Sequence, residues 1–289
     1  MEFLKKIFSP ITGTMNYIQN HFKAMLFLLI LVLIFAPASK KEFTAYNLKK
    51  ITLSGPIMDS TEVVQQINDA TKNSTVKGVL LCVDSPGGAV SPSIEIAYAI
   101  KRLKSKKPVV AYAKGTMASG SYYASIWADK IIANPGSMIG SIGVIMQGAD
   151  LSGVMKKIGI KSQVVKAGLY KQIGTPDRPW KKYEVAELNK VIQGTYDMFT
   201  QDVANARKLN IKKRDKFANA HIFTAAQAQK VGLVDALGVE YDAKNALANL
   251  AHIEHPVWNK EDKFDKLMKK LAASTAVVLN TYFPALSLH

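Results

Sequence analysis

The chain of 289 residues contains a single cysteine, Cys82, so no internal disulfide can form and cysteine usage leaves the redox compartment open. Cys82 stands in the apolar run Val79-Leu80-Leu81-Cys82-Val83 and reads as a small core residue. Histidine is nearly as scarce. His21, His221, His252, His255 and His289 are the only five, and none falls between Ser119 and His221. A serine nucleophile in that interval would therefore need a base other than a nearby histidine. Acidic side chains are also few, 22 against 38 lysines and arginines, for a formal net charge of +16. Such a surplus points to an anionic partner. The lysines are scattered and no nucleic-acid motif accompanies them, which favours a membrane surface over nucleic acid; a basic solvated surface is the plain alternative.

Long uncharged apolar runs are rare as well. The first, residues 24–36, has 13 residues flanked by Lys23 and by Lys40-Lys41. That is short against the roughly 20 needed to span a bilayer. The small-x-small triplet Ala36-Pro37-Ala38 would suit signal cleavage. The long leader, with its own apolar residues Phe3, Leu4, Ile7, Phe8 and Ile11, favours a retained anchor. Lysines on the two sides of the run balance, so charge does not orient it.

Beyond the anchor, strand and helix patterns alternate. Strands are expected at residues 50–53, 79–83, 109–113, 130–133, 142–146 and 162–165. A helix opens after Ser60, and another carries Pro92 in its first turn with Ile96, Ala99, Ile100 and Leu103 on one face. Residues 180–207 have apolar positions at helical spacing throughout, and Thr224 with Gln227 forms a capping box before a helix closed by Gly232. Repeated strand–turn–helix units predict an α/β domain with a largely parallel sheet. The expected organisation is a leader and anchor at residues 1–45, a catalytic domain at 46–250 and a tail at 251–289 that docks on a second copy or the membrane.

Two glycine-rich turns carry the chemistry. Asp84-Ser85-Pro86-Gly87-Gly88 follows a buried strand, and adjacent glycines there can present backbone N–H groups to a carbonyl oxygen. Alone, such a turn is an ordinary strand-to-helix connection. The second is Gly115-Thr116-Met117-Ala118-Ser119-Gly120-Ser121-Tyr122-Tyr123, which lacks the Gly-x-Ser-x-Gly pattern of α/β-hydrolases. A lone serine here would be a helix cap. Paired with the first turn, it can place the Ser119 hydroxyl, the Gly120 N–H and the Gly87/Gly88 backbone around one carbonyl. A lysine can replace histidine as base where burial lowers its pKa from ~10.4. Lys171, among small and apolar residues, is the leading candidate, with Lys114 and Lys166 as rivals.

These segments resemble the signal peptide peptidase A family, peptidase family S49, of the ClpP/crotonase superfamily. The match runs in order through Asp84-Ser85-Pro86-Gly87-Gly88, Met117 to Tyr123, Gly140-Ser141-Ile142-Gly143-Val144, the lysine segment ending in Thr175-Pro176, and Ala228 to Asp235. The resemblance implies a ClpP/crotonase-like repeated ββα spiral with an N-terminal membrane helix. It implies Ser119 as nucleophile, Lys171 as general base, Ser141 orienting that lysine, and Gly87, Gly88 and Gly120 as the oxyanion-hole region. No cofactor or metal is implied. One copy of the domain resembles the half-length form, which assembles into a homo-oligomeric ring with the dyad completed across subunits.

The implied activity is that of a serine endopeptidase degrading remnant signal peptides through an acyl-enzyme. The implied location is a bacterial cytoplasmic membrane, single-pass, with the catalytic domain on the extracytoplasmic side and no nucleic-acid partner. Two alternatives stand: a crotonase-like acyl-CoA enzyme using Asp84 or Glu95, and an inactive membrane scaffold of the same fold.

Overall fold

The computed structural model describes residue 17, residues 19–27 and residues 46–259. The chain divides into two compact units between Thr44 and Ala45. In the first, residues 19–27 are helical and expose Phe22, Leu26 and Phe27. Among the described residues no helix is long and apolar enough to cross a membrane. Residues 28–36 of the apolar run, and the tail beyond residue 259, lie outside the described residues, so the expected anchor does too.

The second unit is a mixed α/β structure built on a seven-stranded sheet. Strands β1 (Leu48–Ser54), β2 (Gly78–Ser85), β3 (Val109–Ala118), β4 (Lys130–Ala133) and β7 (Ala236–Leu237) lie side by side, every pair parallel. A strand buried on both faces must be apolar at successive positions, and β2 obeys this. Val79, Leu81 and Val83 enter the larger core, whereas Leu80 and Cys82 enter a smaller one on the opposite face. Helices α1 (Thr61–Lys72), α2 (Val90–Lys104), α3 (Gly120–Ser125) and α5 (Lys182–Arg207) supply side chains to the larger core. Helix α7 (Glu240–Leu250) covers the other face through Ala243 and Leu247. Each fully buried leucine, isoleucine or valine contributes about 1.5–3 kcal/mol, so the two clusters fix the sheet from both sides.

Strand β3 changes partner along its length. Val110 to Ala113 pair with β4, and Thr116 to Ala118 pair with β5 (Met138–Gly140), which in turn runs antiparallel to β6 (Ile222–Thr224). Between these halves the β2–β3 register shifts, from Val83↔Ala113 to Ser85↔Met117. Such a bulge re-aims a strand end.

Most expected elements coincide with observed ones, but two strands do not form. Residues 142–146 and 162–165 are irregular. Ile142 is buried in the larger core, but Ile145 and Val165 are 82% and 103% exposed, and neither segment pairs with another strand. The long expected helix begins at Lys182 rather than residue 180. Short strands β5, β6 and β7 went unread in the sequence. Helix α6 (Ala225–Lys230) opens with the expected capping box, Thr224 N–H donating to Gln227 Oε1 at 2.9 Å. Past α7 the chain returns to β1, where the Val257 carbonyl accepts from Asn47 and Leu48 and Asn259 Oδ1 accepts from Lys50 N–H.

Candidate active site

The carboxyl ends of β2, β3 and β5 converge, the usual location of a site in a parallel sheet. The bulge in β3 is held by Asp84, whose Oδ1 accepts the Thr116 N–H at 2.9 Å. Gly115 permits this approach, since a Cβ there would stand 2.5 Å from the same oxygen. Asp84 is thus occupied in shaping the strand end.

Ser119 follows β3 directly and precedes α3. Its φ of 52° and ψ of −124° place a non-glycine residue in a sparsely populated region. Two backbone hydrogen bonds impose the conformation: Ser119 N–H donates to the Gly140 carbonyl at 2.8 Å, and the Ser119 carbonyl accepts from Tyr123 N–H at 3.0 Å. A strained, partly exposed serine between a strand and a helix is the arrangement that presents a hydroxyl to a substrate.

The neighbouring backbone is assembled around it. A Cβ on Gly87 (φ 97°) would meet Gly120 N at 2.6 Å and Ser119 Cβ at 2.8 Å, so only glycine lets the two turns touch. Gly87 N–H donates to Ser85 Oγ at 3.2 Å, and its carbonyl accepts from Ile57. Gly87 therefore shapes the turn, and Gly88 and Gly120 present N–H groups that make no hydrogen bond among the described residues. A Cβ on Gly120 would come within 3.4 Å of Gly88 N, which puts those two donors side by side. Ser121 staples the strand ends beneath: its hydroxyl accepts from Ala118 N–H at 2.9 Å and donates to the Ser85 carbonyl at 2.6 Å.

A cavity of about 90 Å³ opens beside Ser119, Gly88 and Gly120. Its walls include Val90 and Ile94 of α2, Tyr123 of α3, Val144, and Met198 and Phe199 of α5. No carboxylate lines it; Asp84 and Glu95 are both elsewhere and exposed. Tyr122 and Tyr123 send their hydroxyls to different elements, Tyr122 to the Leu233 carbonyl at 2.8 Å and Tyr123 to the Asp202 carboxylate of α5. Burial, with the Asp202 hydrogen bond next, pushes the Tyr123 phenol well above its ordinary pKa.

Ser141 lies one residue past the Ala118↔Gly140 pair, in register with Ser119. It too has positive φ, 48°, and its N–H donates to the His221 carbonyl at 2.7 Å. The lysines are different. Lys171 is exposed and lines a separate depression with Val165, Gln172 and Thr175. Lys166 donates to the Leu169 carbonyl at 3.0 Å, and Lys114 is exposed on the bulge. None of the three lines the Ser119 cavity. The segment bearing Lys171 is closed off by Arg178, which grips buried Glu184 at 2.6 and 2.8 Å. Hydrogen bonds from Arg178, and then from the Lys181 backbone, hold the Glu184 carboxyl down from 4.5 to about 2.

Of the residues expected from sequence, the structure brings Ser119, Ser141 and the glycine turns together and sets Lys171 in a separate depression, whereas Asp202 and the contacts of Ser121 and Tyr123 had no sequence signal. Tyr123 and Asp202 are 79 residues apart, and no local pattern links them.

Comparison with known proteins adds a second line of observation. The model of peptidase family S49 matches residues 101–254. A candidate protease of Methanocaldococcus jannaschii is 44% identical over 198 residues, covering 68% of this chain and 64% of that protein. A candidate signal peptide peptidase of Enterococcus faecium is 32% identical over 212 residues, covering 68% of this chain and 62% of its own. The chain therefore spans just under two thirds of the length of either relative. Among solved structures, a membrane-bound stomatin-specific protease in a serine-to-alanine mutant form superposes with a TM-score of 0.52 at 14% identity, covering 75% of this chain and 99% of that one. That likeness concerns the fold.

Proposed function

The chain belongs to peptidase family S49, and from that premise we propose that it is a membrane-anchored serine endopeptidase of ClpP/crotonase-type fold whose base is supplied by a second copy of the chain. Ser119 is the nucleophile, and Lys171 of a neighbouring copy takes its proton. Ser119 Oγ then attacks the scissile carbonyl carbon, and the carbonyl oxygen, now negative, is held by the N–H groups of Gly88 and Gly120. Each such donor is worth ~3–4 kcal/mol in the transition state. The lysine ammonium returns the proton to the leaving amine as the C–N bond breaks, which leaves an acyl-serine. Water, deprotonated by the same lysine, hydrolyses that ester and frees Ser119. For this cycle Lys171 must be neutral, which needs burial; burial lowers a lysine pKa by up to several units. An exposed Lys171 acquires that environment when another copy covers it, and Ser141 orients it there.

The apolar cavity suits an uncharged side chain next to the scissile bond. Together with the likeness to a candidate signal peptide peptidase, this supports remnant signal peptides as substrates, bound extended along a strand edge. The apolar run at residues 24–36 would anchor the catalytic unit on the extracytoplasmic side of a bacterial membrane, where such peptides are released. Nothing in the cavity favours acyl-CoA chemistry, which calls for a carboxylate that its lining lacks.

The observation that carries the reading is the strained Ser119 beside the two free N–H groups of Gly88 and Gly120. Its test is covalent: a serine-directed phosphonate should label the full-length chain at Ser119, and Ser119→Ala should abolish the label. Equal labelling of the alanine variant would refute it.

A further inference from the structure

Besides Ser119, three hydroxyl-bearing residues border the cavity, Ser93, Tyr123 and Thr195, and each donates its hydroxyl to a partner. Ser93 Oγ donates to the Ala89 carbonyl at 2.8 Å, and Thr195 Oγ1 donates to the Val191 carbonyl at 2.9 Å. Those two partners are backbone atoms of the residues' own helical segments. Tyr123 has no such local partner: its phenol reaches across to a side chain on α5. The Tyr123 ring meets Phe199 edge-on, with centroids 4.9 Å apart and planes at 76°, and both residues line the cavity.

We propose that Asp202 is a positioning residue that makes the cavity selective for apolar side chains by holding the Tyr123 hydroxyl out of it. The inference rests on the peptidase reading above and names what tunes that site. A buried phenol without a partner is unfavourable. Deprived of the carboxylate, the hydroxyl turns to the nearest space, the cavity, and places a polar group where the substrate side chain sits. Ser119 is reached by the same residue from the other side, since Tyr123 N–H donates to the Ser119 carbonyl. Selectivity and nucleophile geometry thus share one tyrosine.

The test uses the full-length chain and two peptides identical except for leucine or alanine on the acyl side of the scissile bond. Wild type should prefer leucine by about tenfold or more in kcat/KM, the size expected of a few methylenes in an apolar pocket. Asp202→Ala should reduce that preference to about twofold, through the leucine peptide. Adding Tyr123→Phe to Asp202→Ala removes the freed hydroxyl and should restore the preference to within about threefold of wild type. A purely structural loss would not be rescued in this way. Should Asp202→Ala fail to accumulate as folded protein, Asp202→Leu with and without Tyr123→Phe makes the same comparison. An unchanged preference in the single variant, or a double variant as poor as the single, overturns the inference. A wild-type chain that cleaves neither peptide overturns the peptidase reading itself and this inference with it.

Discussion

The two halves of the proposed dyad are built in opposite ways. Around Ser119 the backbone is strained where it must be and pinned by hydrogen bonds: β5 fixes its N–H, α3 fixes its carbonyl, and Ser121 clamps the strand ends. Around Lys171 the chain has little regular structure, and Ile145, Ile158, Val165 and Leu169 face outward. Under the proposed function, the contrast means that one copy pre-forms the nucleophile and the oxyanion donors and leaves the base on a surface. Pre-organisation is needed where charge develops. Under that proposal, a base that acts only after assembly would keep a lone copy inert.

The sharpest way to break this comparison is to remove each half. Ser119→Ala and Lys171→Ala should each lower peptide hydrolysis on the order of a million-fold, as losses of nucleophile or base do elsewhere. If Lys114→Ala is inactive and Lys171→Ala is not, the base belongs to the pre-formed half and the contrast fails. Next in size is Gly87→Ala. Its Cβ would drive Gly120 N away from 2.6 Å, and misplacement on that scale costs about a hundredfold in rate. Steady-state kinetics on folded variant, verified by circular dichroism, would read this; a variant as active as wild type would mean the Gly88 and Gly120 donors are not used.

A smaller effect is expected on the outward apolar segment. Ile145→Ser with Val165→Ser removes two side chains, each worth about 1.5–3 kcal/mol if buried by a second copy. Sedimentation should show weaker association, with activity that falls on dilution. Unaltered association would show that this surface faces something else.

The smallest effect concerns acid. Glu184 has its pKa depressed from 4.5 to about 2, so it contributes stability above the unfolded value that is lost as pH falls through about 2. Protection of residues 172–184 against hydrogen exchange, taken relative to the unstructured chain at the same pH, should therefore fall over that window in wild type. Glu184→Gln should exchange faster at neutral pH and change little across it. Equal profiles would show that the Arg178–Glu184 pair does not tether the segment.

How much of this could be read from sequence follows the same division. Ser119, Gly87, Gly88 and Gly120 are legible because their chemistry is local: short turns at strand ends, with residues whose types are set by φ and by close approach. The buried strands β2 and β3 are legible as continuous apolar runs. Residues 142–146 and 162–165 mislead for the converse reason. Their apolar positions, Ile142, Val144, Val164 and Val165 among them, resemble those of core strands, but of these four only Ile142 is buried, and periodicity cannot distinguish a core strand from an exposed segment. Strands of two or three residues such as β5, β6 and β7 carry too few positions for any period. The Tyr123–Asp202 pair leaves no trace, since only the tertiary fold brings α3 to α5.

Complementation between inactive copies tests the central claim most directly. Ser119→Ala and Lys171→Ala chains, each inactive alone, should be dissociated, mixed in equal amounts and reassembled. If the dyad forms between copies, the mixture regains activity, to about a quarter of wild type for random assembly of a ring with heterologous contacts. A mixture that stays as inactive as its components, while assembling normally, would contradict the account.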